Sequence, residues 1–143
     1  MARYETTIEV LMQPQAAFEL LSDFSRTTEW DPSVVSAVKH GDQPVGLGSI
    51  FTLTVKFFGR ENVIDYEITE YQPNSRVVLR GENAGVVAID QILIKQNGEK
   101  TAVTYSADLQ FNGFAKLIDP VMGRVFKRIG DRARDGMIER LNR

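Results

Sequence analysis

The stretch Ile118–Met137, IDPVMGRVFKRIGDRARDGM, decides how the rest of the chain has to fold. Ile118, Met122, Val125, Ile129, Ala133 and Met137 recur at steps of three and four with Phe126 beside them, which lays one apolar stripe along about six helical turns. Lys116, Lys127, Asp131, Arg134 and Asp135 fall on the other side. Asp119-Pro120 is an N-cap and first-position pair, and because the apolar spacing already begins at Phe114 a start one turn earlier also fits. A helix of this length has to cover its stripe with a broad apolar surface, which the preceding residues must supply.

They do so as strands. Tyr4, Thr6, Ile8 and Val10 alternate with charged or polar residues from Arg3 to Leu11, the period-2 pattern of a half-buried strand. Pro14 opens a short helix carrying Ala17, Phe18 and Leu21, and Asp23 caps a second one that ends before Pro32. From Val34 the pattern is β for about 75 residues. Val34–Lys39 is a strand; Phe51, Leu53, Val55 and Phe57 form one inward row; Ile64, Tyr66 and Ile68 form another; Val77 and Leu79, Val86 to Gln96, and Thr101 to Phe111 follow. Asn97-Gly98 marks a hairpin, since Asn-Gly supplies the positive φ angles of a tight reversal. The expected architecture is α+β: six or seven antiparallel strands curling around the C-terminal helix, with two short helices after the first strand.

Length and composition fit a single domain over residues 1–143 with a sizeable core. The absence of cysteine excludes disulfides, thiolate metal sites and thiol nucleophiles, and suits a reducing cytoplasm. The first twelve residues lack the h-region of a secretory signal, and no window is apolar enough to span a membrane. Charge is uneven: Lys116 to Arg143 holds eight basic and four acidic residues, while the whole chain carries −2. A basic C-terminal face could meet an anionic membrane surface; a solvated helix face is the competing reading, and no nucleic-acid partner is expected.

The segment Thr27–Val35, TTEWDPSVV, holds the only tryptophan. Its acids and proline end the second short helix and place Trp30 where the helices meet the mouth of the sheet, either as an anchor closing the core or as a wall of a ligand entrance. WDPSV after two short helices, VGLGSIFTL at Val45–Leu53 and the amphipathic C-terminal helix, taken in that order, resemble the polyketide cyclase/dehydrase branch of the START-like (SRPBCC) helix-grip superfamily. Gly46 and Gly48 precede a strand rather than a helix and are no nucleotide fingerprint. The resemblance implies a deep apolar cavity for a hydrophobic molecule such as a lipid, sterol, polyketide or aromatic hormone. It does not imply catalysis, because the same fold serves carriers, sensors and cyclases. The residues assigned to the cavity are Trp30, Phe51, Leu53, Val55 and Phe57, then Tyr66, Ile68, Leu79 and Tyr105, and from the long helix Ile118, Met122, Phe126 and Ile129.

Reactive constellations are scarce. His40 is the only histidine and heads a turn; serine-hydrolase, His-Glu-x-x-His and phosphate-loop signatures are absent, so neither metal nor cofactor is expected. Asp65 and Glu67 share the solvated face of their strand. Asp90 interrupts the apolar run VVAIDQILI; an outward orientation is the favoured expectation, and an inward carboxylate would be functional or paired. Tyr66 and Tyr105 fall on inward rows, as polar handles for a ligand or as core tyrosines satisfied by backbone. Arg76 and Arg80 point outward by alternation, and become anion anchors only if the register is reversed. Gly123, Gly130 and Gly136 each cost about 1 kcal/mol within a helix, for which close approach to the sheet is the default reason.

Three functions therefore stand in order: a hydrophobic-ligand binder or carrier, a cyclase/dehydratase using Tyr66, Tyr105 or Asp90 as acid or base, and an interaction module using the basic helix. The sequence sets neither the ligand nor an oligomeric state.

Overall fold

The computed structural model describes residues 2–57, 59–111 and 119–143, the last stretch with side chains from Gly123 onward. β1 (Ala2–Val10) leads into α1 (Pro14–Ser22) and a 3₁₀ helix (Phe24–Glu29). There follow β2 (Val34–Lys39), β3 (Ile50–Phe57), β4 (Arg60–Gln72), β5 (Arg76–Glu82), β6 (Val86–Asn97) and β7 (Lys100–Phe111), and the chain closes with α2 (Asp119–Leu141). The strands form one antiparallel sheet in the order β1-β7-β6-β5-β4-β3-β2. β1 pairs with the last strand, so the two short helices must carry the chain across the grip to the opposite edge, where β2 begins. Irregularities between Val34 and Ser36 and between Ile68 and Glu70 bend the sheet into a half-barrel.

Local chemistry explains the element ends. Pro14 occupies the first turn of α1, where a missing N–H costs nothing. Asp23 accepts a hydrogen bond from Ser25 N at 3.0 Å and caps the 3₁₀ helix. At the β6–β7 hairpin the positive φ falls on Gly98 alone, at 64°, with Asn97 paired to Lys100. Glycine thus sits at the first central position of the turn, rather than both Asn97 and Gly98 adopting positive φ.

α2 buries Phe126, Gly130, Ala133, Met137 and Leu141, with Val125 and Ile129 half-buried beside them. Close approach is visible at two of its glycines. Gly130 receives the flat ring of Tyr4, and Gly136 receives the main chain at Trp30. The far end of α2 is tied to the loop after β1, because Met12 N donates to Leu141 O at 3.1 Å and Leu11 N to Asn142 Oδ1 at 2.8 Å. Among the described residues no helix is long and apolar enough to cross a membrane.

Candidate functional site

The inward rows of β3, β4, β6 and β7 face α2 across a small cavity. Leu53, Val55 and Phe57 come from β3, Ile64 and Tyr66 from β4, and Tyr105, Ala107 and Leu109 from β7. Phe126 and Ile129 of α2 close it on one side and Phe24, Thr27 and Trp30 on another. Its volume is about 50 Å³, room for a few waters at roughly 10–15 Å³ each.

Asp90 belongs to this wall. It is 6% exposed and lies on the same face of β6 as Val86, Ala88, Ile92 and Ile94, which corrects the outward orientation expected from its charge. Its neighbours across the sheet are Leu79 and Ala107, so no cation balances it from either side. The Tyr105 hydroxyl donates to Asp90 Oδ2 at 3.1 Å. Burial pushes the Asp90 carboxyl up to about 7, against the opposing effect of that hydrogen bond. The phenols of Tyr66 and Tyr105 are both raised well above their ordinary value, chiefly by burial and then by the charge of Asp90.

Three further polar features meet the cavity. Tyr66 makes no side-chain hydrogen bond among the described residues; its ring stands edge-on to Phe24 at 5.3 Å and fills the space left by Gly81 opposite it. Trp30 is 3% exposed and packs edge-on against Tyr105 at 5.9 Å, with its indole N–H unpartnered among the described residues. Asp31 accepts from Ser33 N at 2.9 Å and Ser33 Oγ at 2.8 Å, which terminates the helical segment as expected. Its carboxyl also meets the cavity, and burial raises its pKa despite those two bonds.

Of the residues assigned to the cavity, Trp30, Leu53, Val55, Phe57, Tyr66, Tyr105, Phe126 and Ile129 come together around it. Phe51, Ile68 and Leu79 do not line it: they are fully buried, Phe51 against Phe24, and Ile68 beside Leu79 across β4–β5. Ile118 lies outside the described residues, and the side chain of Met122 is not among those described. Sequence reasoning left out Phe24, Thr27, Asp31, Ser33, Val34, Ile64, Ala107 and Leu109 as cavity wall. The last two share the inward row of Tyr105, and Ile64 that of Tyr66, within reach of alternation; the others run from the 3₁₀ helix through the turn to the first residue of β2, where no period operates.

Several candidates fall elsewhere. His40 is exposed, its Nε2 2.6 Å from Thr52 Oγ1, which donates to Asp65 Oδ1 at 2.7 Å. This is a hydrogen-bond chain on the outer face of the sheet. Arg76 and Arg80 point outward as expected, Arg76 to Glu70 at 2.8 Å and Arg80 to Glu82. No cluster of metal-ligating side chains occurs among the described residues.

Outside the cavity, a groove of about 510 Å³ runs between α2 and the Pro32–Ser33 turn, with Lys56 of β3 and Gly59 beside it. Ser33 and Ile129 line both spaces and form the partition between them.

Comparison with solved structures agrees with this geometry. A START superfamily protein from Mycobacterium smegmatis superposes with a TM-score of 0.74 at 14% identity, covering 98% of this chain and 99% of that one. The Zhui aromatase/cyclase from Streptomyces sp. R1128 gives 0.74 at 13% identity over 97% and 90%. A conserved protein from Geobacillus kaustophilus gives 0.73 at 17% identity over 97% and 94%. At such identities the likeness establishes the shared helix-grip fold. No curated protein gives a significant sequence match. The profile of the family described as polyketide cyclase / dehydrase and lipid transport matches residues 1–142. Its reach over nearly the whole length, on a fold of the expected kind, means that the chain belongs to that family.

Proposed function

We propose that the protein binds or carries a hydrophobic small molecule, lipid-like or polyketide-like, between the sheet and α2. The observation that carries this reading is the composition of the cavity wall: mostly apolar, with Asp90, Tyr105, Tyr66, Asp31, Thr27, Ser33 and the Trp30 indole N–H, unpartnered among the described residues, as its polar groups. An apolar pocket with a few convergent polar groups is the ordinary design of a small-molecule site, and an unpaired buried donor costs about 1–3 kcal/mol unless something accepts its hydrogen bond. A ligand carbonyl or hydroxyl would meet that need. The volume of about 50 Å³ is well below the roughly 300–1,000 Å³ of typical ligand sites, so occupation entails outward movement of part of the wall. The family description, which couples cyclase/dehydrase activity with lipid transport, supports the same class of ligand. A reducing cytoplasmic setting fits the absence of cysteine.

Native mass spectrometry of protein purified without detergent and exposed to a lipid extract should reveal a bound apolar molecule, with a shift in Trp30 emission. No bound mass together with unmoved Trp30 emission would count against the reading.

A second reading is favoured by one observation, the Asp90–Tyr105 pair. A carboxyl titrating near 7 beside a phenol can accept and return a proton at neutral pH, as a cyclase or dehydratase requires. Turnover of a polyketide surrogate, lost in Asp90→Asn and weakened in Tyr105→Phe or Tyr66→Phe, would establish it; equal rates in all three would exclude it.

A further inference from the structure

The basic residues of the C-terminal segment divide into two groups in the fold. Lys127 pairs with Asp131 at 3.0 Å, Arg134 with Asp135 at 3.0 Å and Asp131 at 3.3 Å, Arg140 with Glu29 at 3.0 Å, and Arg143 with Glu139 at 3.3 Å. Arg124, Arg128 and Arg132 have no carboxylate partner among the described residues. They stand four residues apart on one face of α2, about 6 Å from one to the next along the axis, and all three are exposed.

These guanidinium groups and Lys56 of β3 line the groove described above, and among the described residues no acidic side chain lines it with them. Four cations gathered in one concavity repel one another and raise the local potential; Arg132, at one end, also borders a second groove that holds Glu29, Asp135 and Glu139. Arginine forks match the oxygen pairs of carboxylates and phosphates in a way that a lone ammonium does not. Between the cations the groove presents Val125, Ile129 and Pro32, an apolar floor. At Ile129 and Ser33 that floor becomes the wall of the cavity.

We infer that the groove binds the anionic head, a carboxylate or phosphate monoester, of a single-chain amphiphile whose tail passes Ile129 and Ser33 into the cavity. The inference rests on the reading of the cavity as a ligand site and adds the chemical class of the ligand. The groove of about 510 Å³ takes the head and upper part of one chain, and the cavity of about 50 Å³ takes the tail as its wall moves outward. The anion site thus lies on the helix, while Arg76 and Arg80 on the sheet are occupied by acids on the opposite face.

The test compares dodecanoate, dodecyl phosphate and dodecanol, each below its critical micelle concentration, on the parent and on the Arg124→Gln/Arg128→Gln/Arg132→Gln variant, with circular dichroism to verify folding. On the parent both anions should bind at least about tenfold more tightly than the alcohol, the size of a charge-assisted hydrogen bond, and the margin should shrink in 0.5 M salt. The variant should lose the margin and keep its affinity for dodecanol. Single Arg128→Gln and Lys56→Gln variants, each expected to lose part of the margin, serve if the triple variant does not fold. Equal affinity for acid and alcohol overturns the inference and leaves the cavity reading standing; no binding of any of the three overturns both. A margin unchanged in the variants places the anion elsewhere and overturns it. So does binding to anionic phospholipid vesicles that the variants abolish without any preference among the soluble amphiphiles, which would assign the arginines to a membrane surface.

Discussion

Gly136 of α2 lies directly against the carbonyl of Trp30, so close that a Cβ added at Gly136 would overlap the Trp30 oxygen. The obstacle is main chain, which cannot swing aside as a flexible side chain can. Gly136→Ala should therefore cost at least about 2 kcal/mol, despite the better helix propensity of alanine. Gly123→Ala is the internal control: nothing lies within 4 Å of a Cβ there, so it should gain up to about 1 kcal/mol. Urea unfolding of the two variants should move in opposite directions from the parent.

Asp90 makes stability depend on pH in a defined direction. Its carboxyl is raised from 3.8 to about 7 in the fold, so between those values the unfolded chain releases the proton while the native state keeps it. Stability is then fully present below about pH 4 and lost as pH rises through about 7. Asp90→Asn removes this dependence. The stability of the variant minus that of the parent should climb from pH 4 to 7 and then level off, by at most about 4 kcal/mol. A flat difference curve would show that Asp90 is ionised in the native state throughout.

Tyr105→Phe tests the hydrogen bond to Asp90 separately. The phenol donates to the carboxylate and holds its pKa down against burial. Without it the Asp90 titration, followed by carbon NMR of the carboxyl, should move above its parent value. A downward movement would mean that the phenol favours the protonated acid instead.

Gly81 seats the ring of Tyr66, whose carbons would stand 2.6 to 2.8 Å from an added Cβ. Gly81→Ala should push the phenol off the sheet and into the cavity, with a stability cost of about 1–3 kcal/mol. Affinity for an apolar ligand, read from Trp30 emission, should fall at least about tenfold. Unchanged affinity would place the ligand away from Tyr66.

Much of this is legible in the sequence. The rows at Phe51–Val55 and Ile64–Ile68 and the stripe on α2 each follow a simple period, and the half-barrel around one helix follows from their order. Asp90 shows where two rules compete. Alternation alone places it with Ala88 and Ile92, yet the aversion of carboxylates to apolar interiors argues for the opposite face. Alternation wins because a strand cannot turn one residue outward without shifting its neighbours. The grouping of Arg124, Arg128 and Arg132 could be counted in the sequence, but which basic residues would find acids depended on Glu29 arriving beside Arg140 from the other end of the chain. Asp31 and Ser33 were readable as turn chemistry and not as cavity wall, since the same carboxyl does both.

The ties from Met12 to Leu141 and from Leu11 to Asn142 fasten one end of α2 to the start of the chain. With Gly136 wedged under Trp30 and Gly130 under Tyr4, the helix is held along its last three turns, so any swing of it would pivot about that carboxyl-terminal part, as a lever about its fulcrum. A swing small at Leu141 is then largest near Arg124, so amide hydrogen exchange should quicken steadily from Met137 back toward Arg124. An occupant between helix and sheet would be gripped by leverage as well as by contact, and its departure would be timed by the stiffness of that one pivot.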